Sequence, residues 1–121
     1  MNKNNLIYIF IICFTLISCG KNRIKLISEN SNLILPKDFK ILQNETQSTG
    51  IADFEINIML QFDENNFQKI IHQVDSLILV DPNWKSSNNE YYYENFTNQS
   101  EPSNIKIYKH NKTLKFVFNH I

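Results

Sequence analysis

Apolar residues along this chain follow three different rhythms. Leu6 to Ile17 is an almost unbroken apolar run. Phe54, Ile56, Ile58, Leu60 and Phe62 instead alternate with Glu55, Asn57, Met59 and Gln61. A period of two over this length predicts a strand with one dry face. Phe67, Ile70, Ile71, Val74, Leu77 and Ile78 then recur at helical spacing, with Gln68, Lys69, His72, Gln73, Asp75 and Ser76 on the other side. This stretch predicts an amphipathic helix. Asp63 is placed to cap its free amides, and Asp81-Pro82 ends it, because proline disfavours a helical residue before it.

The C-terminus returns to a period of two. Ile105 and Ile107 alternate with Lys106 and Tyr108, and Leu114, Phe116 and Phe118 alternate with Lys115 and Val117. A two-residue turn at Asn111-Lys112 would pair Tyr108 with Lys115, Lys106 with Val117, Ile107 with Phe116 and Ile105 with Phe118. Asn suits the positive φ of such a turn better than Lys does. Phe39–Asn44 is a further short strand, Glu45–Gly50 has turn chemistry, and Tyr91–Tyr93 with Phe96 suggests one more strand in the less regular segment 83–103. The expected fold is α+β: an antiparallel sheet of four to five strands with one amphipathic helix on one face, in the order β-β-α-β-β-β.

With 121 residues the chain has room for one domain. Hydrophobic residues make up 42% of it, which is enough for a core and argues against disorder. Twelve basic residues balance twelve acidic ones, so a nucleic-acid binder held by bulk positive charge is not expected. The balance hides an asymmetry. Residues 38–101 carry a net charge of −8, and residues 103–121 carry +4 through Lys106, Lys109, Lys112 and Lys115.

The leader has an address. Lys3 and the terminal amine precede the apolar run, as in a secretory signal peptide. Twelve helical residues span about 18 Å, too short for a hydrocarbon core of about 30 Å. At its end, Leu16-Ile17-Ser18-Cys19 resembles the lipobox of bacterial lipoproteins. The resemblance covers residues 1–19 and implies a diacylglycerol on Cys19, cleavage just before it, and acylation of the new amine. It also implies a cell-membrane or outer-membrane protein, lipid-anchored, with its domain outside the cytoplasm. Two or more acyl chains anchor stably where one does not. On this reading residues 1–18 are the signal peptide, 19–32 are the lipidated Cys and a short tether with a strand at Ile24–Ile27, and 33–121 are the domain. Cys13 leaves with the leader, so no thiol remains for a disulfide, a nucleophile or a metal.

Candidate chemistry is thin. His72, His110 and His120 have no zinc-helix spacing, and the two glycines exclude both a nucleophile elbow and a phosphate-cradling loop. Asp53/Glu55 and Asp63/Glu64 are close carboxylate pairs, but nothing in their setting is dry. No catalytic, metal or cofactor site is expected. Lys106, Tyr108 and Lys115 share an outward sheet face and are candidate contacts for an acidic partner or anionic glycan; lysines there also guard a sheet against aggregation. Trp84, Tyr91 and Tyr93 are candidate binding aromatics, with core packing as the competing reading. The expected function is a non-enzymatic interaction domain that meets another envelope protein. The alternative is a ligand-binding module gripping a sugar or peptide through Trp84–Phe96.

Overall fold

The computed structural model describes residues 23–121. The leader, the lipobox and Cys19 lie outside the described residues. In chain order the elements are α1 (residues 23–31), β1 (Lys40–Ser48), β2 (Phe54–Gln61), α2 (Glu64–Ile78), β3 (Trp84–Ser86), β4 (Glu90–Asn95), β5 (Ser103–Tyr108) and β6 (Thr113–His120). The strands form one antiparallel sheet in the order β1-β2-β6-β5-β4-β3. The α+β class and the antiparallel sheet are those the sequence pattern predicts. The structure adds a sixth strand and a second helix.

Alternation decides which side of the sheet is dry. Ile56, Ile58 and Leu60 of β2, Leu114, Phe116 and Phe118 of β6, Ile105 and Ile107 of β5, and Tyr91 and Tyr93 of β4 point one way. They join Phe67, Ile70 and Val74 of α2 in a single core. Asp63 caps α2 as expected, its carboxylate accepting from the Asn66 amide at 2.8 Å. The helix stops at Ile78, and the Asp81 amide folds back onto the Leu77 carbonyl before Pro82.

Four sequence expectations are corrected. The segment expected as a tether with a strand at Ile24–Ile27 is instead α1, and it is part of the core: Ile27, Ser31 and the following Leu33 are each 0% exposed. The Ser31 hydroxyl donates to the Ile27 carbonyl one turn back, which lets a polar side chain be buried there. Asn32 takes the left-handed conformation that ends the helix (φ 61°).

Next, β1 runs on to Ser48, so the connection to β2 lies at residues 49–53, where Ala52 rather than Gly50 carries positive φ (68°). A bulge between Ile41 and Gln43 shifts the β1 register. Third, the short β3 stands at the sheet edge before the tyrosine strand.

Fourth, the C-terminal hairpin has a four-residue connection, 109–112, with the positive φ on Lys112 (55°) and not on Asn111. Tyr108 therefore pairs with Thr113, Lys106 with Lys115, Ile107 with Leu114 and Ile105 with Phe116. The slip is two residues. It changes every partner but keeps every side chain on its expected face, because the strand period is two.

Candidate functional site

Both helices feed one core on one side of the sheet, and among the described residues no element covers the other side. The strand registers give that open face its pattern. Lys85 pairs with Tyr92, Tyr92 with Lys106, Lys106 with Lys115, Lys115 with Met59, and Met59 with Gln43. One row thus crosses all six strands and carries three lysines and a tyrosine. At 4.7–4.9 Å per strand, Lys85 and Lys115 stand about 14 Å apart at the backbone. The neighbouring row runs Glu90, Tyr108, Thr113, Gln61, and the row on the other side runs Glu94, Asn104, Val117, Asn57.

Lys106 and Lys115 lie directly opposite each other, an arrangement that repels. Among the described residues neither has a carboxylate within ion-pair distance. Tyr92, Glu94, Asn104, Lys106, Lys115 and Val117 surround a depression of about 310 Å³. A wider one, about 710 Å³, adjoins it toward the hairpin loop and is lined by Met59, Gln61, Tyr108, Thr113, His110 and Lys112. Both are shallow and mixed in polarity.

The candidate residues named from the sequence therefore divide. Lys106, Tyr108 and Lys115 share the open face as expected. Trp84, Tyr91 and Tyr93 do not join them: they lie on the opposite side of the sheet, 2%, 8% and 4% exposed, inside the core. Trp84 packs on Tyr93 with ring centres 5.0 Å apart, and its indole N–H has no hydrogen-bond partner among the described residues. The Tyr93 hydroxyl donates to the Asn30 carbonyl at 2.6 Å, tying β4 to the end of α1. The Tyr91 hydroxyl donates to Asp75 on α2 at 2.7 Å, and the Lys109 ammonium sits 4.2 Å from the centre of its ring. Burial and the neighbouring Asp75 carboxylate push the Tyr91 hydroxyl up to about 12, and burial raises Tyr93 as well. These are marks of structural tyrosines.

Two members of the open face were not singled out from the sequence. Tyr92 had a usable signal, since alternation turns it outward once Tyr91 and Tyr93 face in. Lys85 had none, because a three-residue strand is too short to show a period.

The titratable groups stay dispersed. His72 is exposed on α2, His110 lies in the hairpin loop 3.2 Å from the Asn89 side chain, and His120 stacks on Phe54 at 4.9 Å. Among the described residues no three His, Cys, Asp or Glu side chains gather where a metal ion could be held. Glu64 pairs with Lys112 at 2.9 Å, and the hydrogen bond from that ammonium holds its carboxyl below the ordinary range. This contact joins the hairpin loop to the start of α2. The fold and the face together define a small α+β domain with one covered and one open sheet surface. Comparison with protein-family models, with curated proteins and with solved structures finds no match to this chain.

Proposed function

We propose that this chain is a bacterial lipoprotein, held at a cell or outer membrane by acyl chains on Cys19. Its domain acts without catalysis, by meeting another envelope protein through the open sheet face. The observation that carries the reading is the row Lys85-Tyr92-Lys106-Lys115: among the described residues, it is unpaired positive charge and an aromatic ring on a surface that no element covers. Such a surface suits a partner with acidic groups, because complementary charge speeds encounter and sets register. The lipobox supplies the location. The alternative, a module that grips a sugar or peptide by its aromatic segment, has less support, since three of the rings it needs are in the core.

The test has two arms. Cys19→Ala is expected to abolish incorporation of a fatty-acid probe and to leave a longer, uncleaved chain; continued labelling would remove the lipoprotein reading. Photocrosslinkers placed at Tyr92 and at Lys69 on α2 then compare the two sides of the domain in intact cells. A discrete adduct from position 92 alone, lost in the Lys106→Glu/Lys115→Glu variant, is the expected result. Equal adducts from both positions, or one indifferent to the charge reversal, would move the interface elsewhere.

A further inference from the structure

The structure changes what the lipid anchor does to the domain. We infer that the outer side of α1, together with the connector that follows it, docks on the bilayer surface, so that the domain lies on the membrane in a fixed orientation. This rests on the lipoprotein reading of Cys19.

The reach of the chain comes first. Gly20, Lys21 and Asn22 alone separate Cys19 from Arg23, the first described residue of α1. Four Cα steps extend to at most about 14 Å. A domain of about 100 residues is roughly 30 Å across. The leash is shorter than the body it holds.

Nor does α1 add to that leash by peeling away. Ile27 and Leu33 are fully buried. The Asn30 carbonyl accepts from the Tyr93 hydroxyl and from the Asn95 amide. The Gln73 side chain of α2 grips the backbone of Ile34 at both ends, accepting from its N–H at 2.8 Å and donating to its carbonyl at 2.7 Å. These contacts pin the second half of α1 and its connector to the body of the domain, and at the start of the helix the Arg23 guanidinium donates to the Asn44 side chain of β1 at 3.4 Å.

What lies at that end has the chemistry of an interfacial surface. A groove of about 280 Å³ begins at the first turn of α1, lined by Ile24, Lys25, Ile34, Leu35, Pro36 and Phe39. Ile34 is 74% exposed on its rim. Lys25 lines the groove, and Arg23, Lys37 and Lys40, like the acids Glu29 and Asp38, adjoin its lining residues in sequence. Apolar side chains with a net excess of cations in the same segment suit the boundary between headgroups and acyl chains, where lysine stems can lie along the surface with their ammonium groups toward anionic headgroups. The leash argues for the occupant: it keeps Arg23 within about 14 Å of the lipidated residue, and the groove opens at the next residue, Ile24.

The experiment uses the lipidated protein in vesicles of phosphatidylcholine with about 30 mol% phosphatidylglycerol, an anionic surface of the kind basic segments select. The mature chain offers no other free thiol, so a bimane label is attached at Ile34→Cys or, on the open sheet face, at Asn104→Cys. Doxyl groups on the lipid chains read proximity. Severalfold stronger quenching at position 34 than at position 104 is expected. Equal quenching, in protein whose mass shows the acyl groups, overturns the docking and leaves the anchor standing; a mass without acyl groups overturns both. A second label at Lys37→Cys isolates the groove from the leash. There Ile34→Asp is expected to reduce quenching at least twofold, and unchanged quenching removes the groove from the contact.

Discussion

Single side chains in this domain do work that their residue type conceals. Tyr91 is an example. Its ring is buried on the core side of β4, its hydroxyl reaches Asp75 on α2, and Lys109 covers the ring from the hairpin side. The hydroxyl is pushed up to about 12 in the folded chain, first by burial and then by Asp75. The unfolded chain releases the same proton near pH 10. A folded value raised above the unfolded one gives stability that is complete below pH 10 and is lost as pH rises toward 12. Tyr91→Phe has no proton to lose there. At neutral pH it is expected to cost about 0.5–1.5 kcal/mol, the net worth of one hydrogen bond. Between pH 10 and 12 the gap to the parent is expected to close. Thermal melts of both chains across that range check it; a gap that stays constant would mean that Tyr91 is not among the groups setting the alkaline limit.

At the scale of elements, legibility tracked the length of the repeat. β2, β5, β6 and α2 each carry enough turns or alternations to declare a face, and each has the face its pattern predicts. The hairpin register was less legible, because the apolar sets match equally well after a two-residue slip and only the turn separates the two solutions. Of the two residues the sequence pattern puts in the turn, it is Lys112, the less suited, that takes positive φ, and not Asn111.

α1 was illegible for a different reason. It is short, and one of its buried positions is a serine whose hydroxyl is consumed by its own helix. A polar letter in a nine-residue segment reads as linker. Its burial makes a sharp prediction: Ile27→Ala is expected to destabilise the domain by about 2–5 kcal/mol, as for other fully buried large-to-small changes. A tether residue would cost nothing measurable by chemical denaturation.

The same scale separates two neighbours on α2. Ile70 is fully buried, while Ile71 packs only partly against the core. Ile70→Asp is expected to abolish the cooperative transition, since it buries a charge without a partner. Ile71→Asp is expected to keep a transition at lower temperature. Identical behaviour of the two would mean that the helix is rotated from the orientation described.

For the molecule as a whole, the candidate site was half legible. The lysine positions and their face followed from alternation, whereas the aromatic residues divided between the two sides of the sheet once β4 was paired. Net neutrality likewise separated into regions: basic side chains on the C-terminal hairpin, and a second excess of basic residues in the segment 23–40. These two surfaces have different neighbours in the proposed arrangement, one a protein and the other the bilayer.

In the proposed arrangement the length of the leash is what ties the second surface to the bilayer. In the proposed lipoprotein the acyl chains hold the protein at the membrane whatever the leash, because two or more of them anchor stably. Docking through the α1 groove is a separate, weaker contact, sustained by the high local concentration that a short connection imposes. A flexible Gly-Ser insert of about twenty residues after Gly20 gives a mean reach of roughly 25 Å and dilutes the groove over a larger volume. The extended chain is expected to stay in the membrane fraction while quenching of a label at Lys37→Cys falls. That quenching is expected to become salt-sensitive as well. Screening within about 8 Å at physiological ionic strength weakens the lysine contacts, and the leash no longer holds the domain down without them. In the native chain salt is expected to change quenching little. Salt-independent, undiminished quenching in the extended chain would mean that the groove binds lipid tightly unaided, and that the short leash orients nothing.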